Sequence, residues 1–98
     1  MGNVSVNDFN WDLYGFVVAS RYRKIIVESL YRRQRTPSQL AKECGIPLTR
    51  VSNTLTELVV KEIVECLTPN QRKGRIYKLT EQGRKIAETM KNNMGGTL

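Results

Sequence analysis

Residues 36–61, TPSQLAKECGIPLTRVSNTLTELVVK, constrain the fold more than any other stretch, because both ends of a helix are written into them. Thr36 suits the N-cap, where its hydroxyl accepts from an otherwise unsatisfied backbone N–H. Pro37 suits the first helical position, since it has no N–H to leave unpaired there. Gln39 completes a capping box. The helix runs to about Glu43 or Cys44, and Gly45 stops it by entering the left-handed conformation cheaply. After two intervening residues a second amphipathic segment begins, from about Leu48 to Lys61. Two helices joined by a short Gly-containing turn form a helix-turn-helix candidate. On the second helix Leu48, Val51, Leu55, Leu58 and Val59 share the face expected to pack. The opposite face centres on Thr49, Asn53, Thr56 and Val60, flanked by Arg50 and Glu57 on one side and Ser52 on the other.

The flanking segments fit around this pair. Residues 1–8 are polar and without periodicity, and are expected to form a flexible arm. Residues 9–18 hold Phe9, Trp11, Tyr14 and Phe16 and are expected to form a short apolar helix. Ser20 suits the cap of the next helix, which carries Ile25, Ile26, Val27 and Leu30. Ile63–Leu67 and Arg75–Leu79 have the pattern of strands, joined by the polar loop 68–74 with a basic tip. Thr80 suits the N-cap of a last helix, with Ile86, Met90 and Met94 as an apolar stripe. Gly95-Gly96 is expected to end that helix, leaving 95–98 as a flexible tail. The expected fold is mostly α with a small β-hairpin wing: one winged helix-turn-helix domain over residues 9–94.

Charge narrows the partners. Sixteen Lys and Arg against nine Asp and Glu give a net charge of +7, and every basic residue lies from Arg21 onward. Such a balance favours a polyanion, because phosphate contacts release counterions. The chain has no His, which removes His-based acid–base catalysis and His metal ligation. Cys44 and Cys66 are far apart and form no CxxC pair, so neither a metal site nor a cofactor is expected. With no Gly-rich phosphate loop either, the chain is not expected to be an enzyme. Two unpaired thiols and no signal peptide fit a cytoplasmic protein, and the longest apolar run is too short to span a bilayer.

Residues 36–61 resemble the helix-turn-helix of bacterial and archaeal winged-helix regulators at Ala41, Gly45, Ile46, Val51 and Leu55. The following IVECLTPNQRKGRIYKLTEQGRK resembles the wing and the LTxxG entry to the last helix seen across the MarR/ArsR-like superfamily. ASRYRKIIVESL resembles the first core helix of short archaeal winged-helix regulators. The chain is shorter than a typical MarR protein and lacks that family's long extra dimer helices. It also lacks the paired cysteines of arsenic-responsive sensors.

The function expected is sequence-specific binding of double-stranded DNA by a transcription regulator. Helix 48–61 would enter the major groove, where base edges present a readable pattern. Arg50 would fork onto guanine and Asn53 would pair with adenine, while Thr49, Ser52 and Thr56 would bond to bases or phosphates. Arg72, Lys73 and Arg75 in the wing over 68–75 would reach the backbone or a minor groove. Ser38 and Gln39 would add phosphate contacts at a helix N-terminus. The aromatic N-terminal segment and the last helix are candidates for a homodimer interface, which the resemblance also implies. The alternatives are a protein-interaction winged helix and a non-specific chromatin protein.

Overall fold

A computed structural model of the protein describes residues 9–96, with side chains described to Asn92. The arm expected over residues 1–8, the Met94 side chain and residues 97–98 lie outside the described residues. The elements run α1 (Trp11–Val18), α2 (Arg21–Arg32), α3 (Pro37–Cys44), α4 (Leu48–Val60), β1 (Val64–Cys66), β2 (Tyr77–Leu79) and α5 (Glu81–Gly96).

Local chemistry starts each of the first three helices. The Asn10 side chain accepts from Leu13 N at 3.1 Å, and Ser20 Oγ accepts from Arg23 N at 3.4 Å. Thr36 and Gln39 form the full reciprocal box, at 3.2 and 2.9 Å. Gly45 closes α3 at φ 67°, the left-handed stop its residue type implies. Pro47 stands before α4 without a side-chain cap. α5 continues through Gly95 and Gly96 rather than ending at Met94, since glycine disfavours a helix by only about 1 kcal/mol and does not forbid it.

α4 ends in a Schellman motif. Ile63 N donates to Leu58 O and Glu62 N to Val59 O, each at 2.9 Å. The left-handed position that usually holds glycine is occupied by Glu62, at φ 61°. An L side chain there carries a steric cost that glycine escapes. Glu62→Gly should therefore raise the unfolding free energy by about 0.5 kcal/mol, once glycine's larger unfolded-state entropy is deducted. Urea denaturation measures it, and a net loss would show that the Glu62 side chain outweighs its backbone strain.

The core sits where α2 crosses the helix-turn-helix, with Ile26, Val27, Leu40, Val51, Leu55 and Leu58 all nearly inaccessible. Val17 from α1 and Ile86, Ala87 and Met90 from α5 close it. The apolar stripe of α5 thus covers its own domain as far as Met90. The packed face of α4 differs from the expected one. Leu48 is 50% exposed and Val59 36% exposed, while Thr54 is buried. Leu48 opens the helix at the edge of the core, and Thr54 lies between Val51 and Leu58 on the buried side.

β1 and β2 pair antiparallel in the register Val64 with Leu79, Glu65 with Lys78 and Cys66 with Tyr77. Both are shorter than the expected Ile63–Leu67 and Arg75–Leu79 strands. The hairpin gains a third edge that the sequence did not signal. Arg35 exchanges both backbone bonds with Tyr77, at 3.0 and 2.8 Å, so the residue just before the α3 cap is fastened to the wing. Its side chain is buried, with Nε 3.0 Å from Glu43 Oε1, in an approach too oblique for a hydrogen bond. The two form an ion pair through proximity alone.

Candidate nucleic-acid interface

The Arg35–Tyr77 bridge decides where the wing stands. It brings β2, and the loop before it, beside the start of α3. The result is a single groove of about 500 Å³ with three walls. Thr36, Pro37 and Ser38 come from the N-terminus of α3, and Leu48, Ser52, Leu55 and Thr56 from α4. Arg72, Lys73, Gly74, Arg75 and Tyr77 come from the hairpin. Among the described residues three cations and no carboxylate line it. The positive end of the α3 dipole lies at the same place, with the Ser38 N–H unpaired by its own cap.

Six of the ten residues singled out in the sequence therefore meet in one concavity: Ser38, Ser52, Thr56, Arg72, Lys73 and Arg75. Thr49, Arg50 and Asn53 are exposed on α4 but lie outside the lining of that groove. The Arg50 guanidinium rests over the Tyr22 ring of α2, 4.9 Å from its centroid. Gln39 is exposed, and its side-chain oxygen accepts from Thr36 N in the capping box. Thr56 is exposed, and its Oγ1 donates back to Ser52 O at 3.0 Å. Arg75 donates from Nε to Gln71 O at 2.6 Å and from Nη2 to Pro69 O at 3.3 Å. Arg72 and Lys73 make no hydrogen bond or ion pair among the described residues.

Tyr22, Tyr77 and Leu48 were not singled out as site residues. Tyr22 and Tyr77 owe their positions to contacts far along the chain, and Leu48 looked like core by its periodicity. Glu57 pairs across the fold with Arg23 of α2, its Oε1 3.1 Å from Arg23 Nε. That Arg23 also donates to Phe16 O at 2.8 Å and covers the Phe16 ring at 3.8 Å, locking α1 to α2 and α4.

Among the described residues no group of three or more His, Cys, Asp or Glu could hold a metal ion, and no helix is long and apolar enough to cross a membrane. Cys44 packs against the core beside Ser29 and Glu43. Burial pushes its thiol above the ordinary value; the Ser29 hydrogen bond lowers it, Glu43 raises it further, and Arg35 and Arg32 pull it back. The net shift is upward, which keeps the thiol protonated and poorly nucleophilic at neutral pH.

Several solved structures share this fold. A MarR-family transcription regulator from Enterococcus faecalis superposes with a TM-score of 0.74 at 15% identity, covering 99% of this chain and 89% of that one. FabT from Streptococcus pneumoniae, solved in complex with DNA, superposes with a TM-score of 0.67 at 22% identity over 94% of this chain and 70% of that one. A Lactococcus lactis ZitR variant gives 0.72 at 19% identity over 80% of this chain. The matched part spans only 54% of that ZitR chain. At these identities the likeness is one of fold. All three are bacterial, and the resemblance to short archaeal regulators finds no support in them. No curated protein matches the sequence. Residues 17–95 match the HxlR-like helix-turn-helix family, a stretch that takes in α2, the helix pair and the wing alike. The chain belongs to the HxlR-like helix-turn-helix family, and its fold is a winged helix-turn-helix.

Proposed function

We propose that this protein is a cytoplasmic, non-enzymatic regulator that binds double-stranded DNA sequence-specifically, with α4 in the major groove and the 68–75 loop on the backbone or minor groove. The single observation that carries this reading is the shared groove. One concavity joins the α3 N-terminus, Ser52 and Thr56 of α4 and a cationic loop, with no carboxylate among the described residues of its lining. The neighbouring fold of FabT was solved in complex with DNA, which adds support. In this reading Arg50 forks onto guanine and Asn53 pairs with adenine. Thr49, Ser52 and Thr56 bond to bases or phosphates. Ser38, with its backbone N–H, and the Gln39 side chain hold a phosphate.

The regulator acts as a homodimer through the aromatic α1 segment and α5. Trp11 supports this: it stays 61% exposed although it stacks edge-on against Phe9 and Tyr14, at centroid distances of 4.5 and 5.4 Å. Phe9 and Asn10 also share a small hollow with Glu81, Gln82, Lys85 and Ile86, so the aromatic segment and the start of α5 form one continuous surface. Two reading helices then address half-sites about one helical turn apart.

In vitro selection from random duplexes tests specificity and symmetry together. Enrichment of an inverted repeat is the expected result. Recovery of random sequence after repeated rounds would remove the sequence-specific reading. Failure to bind any duplex at low salt, together with a stable heteromeric complex, would favour a protein-interaction module docking at Trp11.

A further inference from the structure

We propose that Arg75 is a positioning residue of the wing, which ties the loop to itself and thereby presents Arg72 and Lys73 to the groove. The role given to Arg72 and Lys73 rests on the DNA-binding reading above; the tie itself does not.

The loop has little else to hold it. Its base is closed by Leu67 N to Ile76 O at 2.7 Å and by Ile76 N to Thr68 Oγ1 at 3.0 Å. Beyond that base, the one backbone–backbone bond among the described residues is Gln71 N to Thr68 O at 3.1 Å. Asn70, Arg72, Lys73 and Gly74 contribute no backbone bond of their own. Polar loops with so few bonds sample many conformations, and ordering them on binding costs affinity.

Arg75 supplies the missing closure. Gly74 turns the chain at φ 67° immediately before it. The guanidinium then donates to the carbonyls of both Gln71 and Pro69. Arg72 and Lys73 lie between Gln71 and Arg75, so the tie closes the short segment that carries them. The fork geometry matters. A planar guanidinium offers donors along two directions at once, whereas a lysine ammonium on a flexible stem does not reproduce that fixed pair. The sequence groups the three wing cations as equivalent; the geometry divides them into two that are unpaired and one already committed to the loop.

The test compares Arg75→Lys, which keeps the charge, with Arg75→Ala. In the free protein, amide exchange at Gln71 is expected to rise about tenfold or more in both variants while the melting temperature stays near wild type. An unchanged Gln71 rate in Arg75→Lys would overturn the tie. On duplex DNA, both variants are expected to lower the slope of log K against log salt by more than the roughly 0.9 that one phosphate contact contributes. Neither should add to the loss already present in an Arg72→Ala/Lys73→Ala background. If Arg75→Lys binds as wild type, and Arg75→Ala loses about 0.9 in slope independently of that background, Arg75 is a direct phosphate contact and the proposal fails. A protein that binds no duplex at all would sink the DNA-binding reading, while the exchange measurement would still decide the tie.

Discussion

Gly83→Ala is expected to lower the unfolding free energy by about 3 kcal/mol, at the upper end of what overpacking a tight site costs. Helix propensity points the other way. Gly83 lies in the first turn of α5, and alanine is favoured over glycine in a helix by up to about 1 kcal/mol. The deciding contact is tertiary. A Cβ at position 83 would sit well inside the van der Waals radius of the Ile63 carbonyl oxygen and against the Ile63 side chain. That carbonyl cannot retreat, because Thr80 N donates to it at 3.0 Å. The Thr80 hydroxyl adds to the clamp. It accepts from Gly83 N at 3.0 Å and faces the carbonyls of Glu62 and Ile63 at 2.7 and 3.1 Å. The start of α5 is thus bolted to the turn between α4 and β1, which gives the LTxxG pattern its physical meaning. For a domain of this size the loss corresponds to a fall of about 15 °C in Tm. Urea and thermal denaturation measure it. A variant as stable as wild type would mean that α5 can slide off the Ile63 carbonyl at little cost.

The second large effect separates positioning from specificity. Arg72→Ala combined with Lys73→Ala is expected to weaken binding to every duplex alike, and to lower the slope of log K against log salt by about 1.8. Both side chains stand at the groove without an internal partner, so little fold stability should be lost with them. Arg50→Ala is expected to behave differently. It should relax preference at one base position by about 1–3 kcal/mol while leaving binding to random DNA nearly unchanged. The Tyr22 ring beside it gives the guanidinium a defined resting place, so the loss should be confined to discrimination. Competition binding across a salt series measures both variants. Equal losses on selected and random DNA for Arg50→Ala would contradict a base-reading role, and a loss confined to the selected site for the double variant would contradict a backbone role for the loop.

Much of the fold was legible in the sequence because its signals are short-range. Ser20, Thr36, Gln39 and Gly45 each act on a backbone group no more than about four residues away. Their roles follow from residue type and spacing alone, whatever the rest of the chain does. The same holds for the order of elements and for the exposure of Arg50, Asn53 and Thr56. Where the sequence misled, the failure was one of edges. Leu48 and Val59 have the right period for a buried stripe, but periodicity does not say where the core stops along a helix. Thr54 carries a polar atom at a position that geometry buries, so residue type masks its place in the core.

Sequence alone determined that there would be a capped helix pair, a basic hairpin and an uneven positive charge, since those depend on neighbours along the chain. Only the tertiary structure decided that the hairpin stands beside the start of α3, through the backbone bridge from Arg35 to Tyr77. It alone separated Arg75 from Arg72 and Lys73, and it alone placed Gly83 against Ile63. Each of these depends on which atoms two distant or folded-back segments bring together, and no propensity carried by a single residue encodes that meeting.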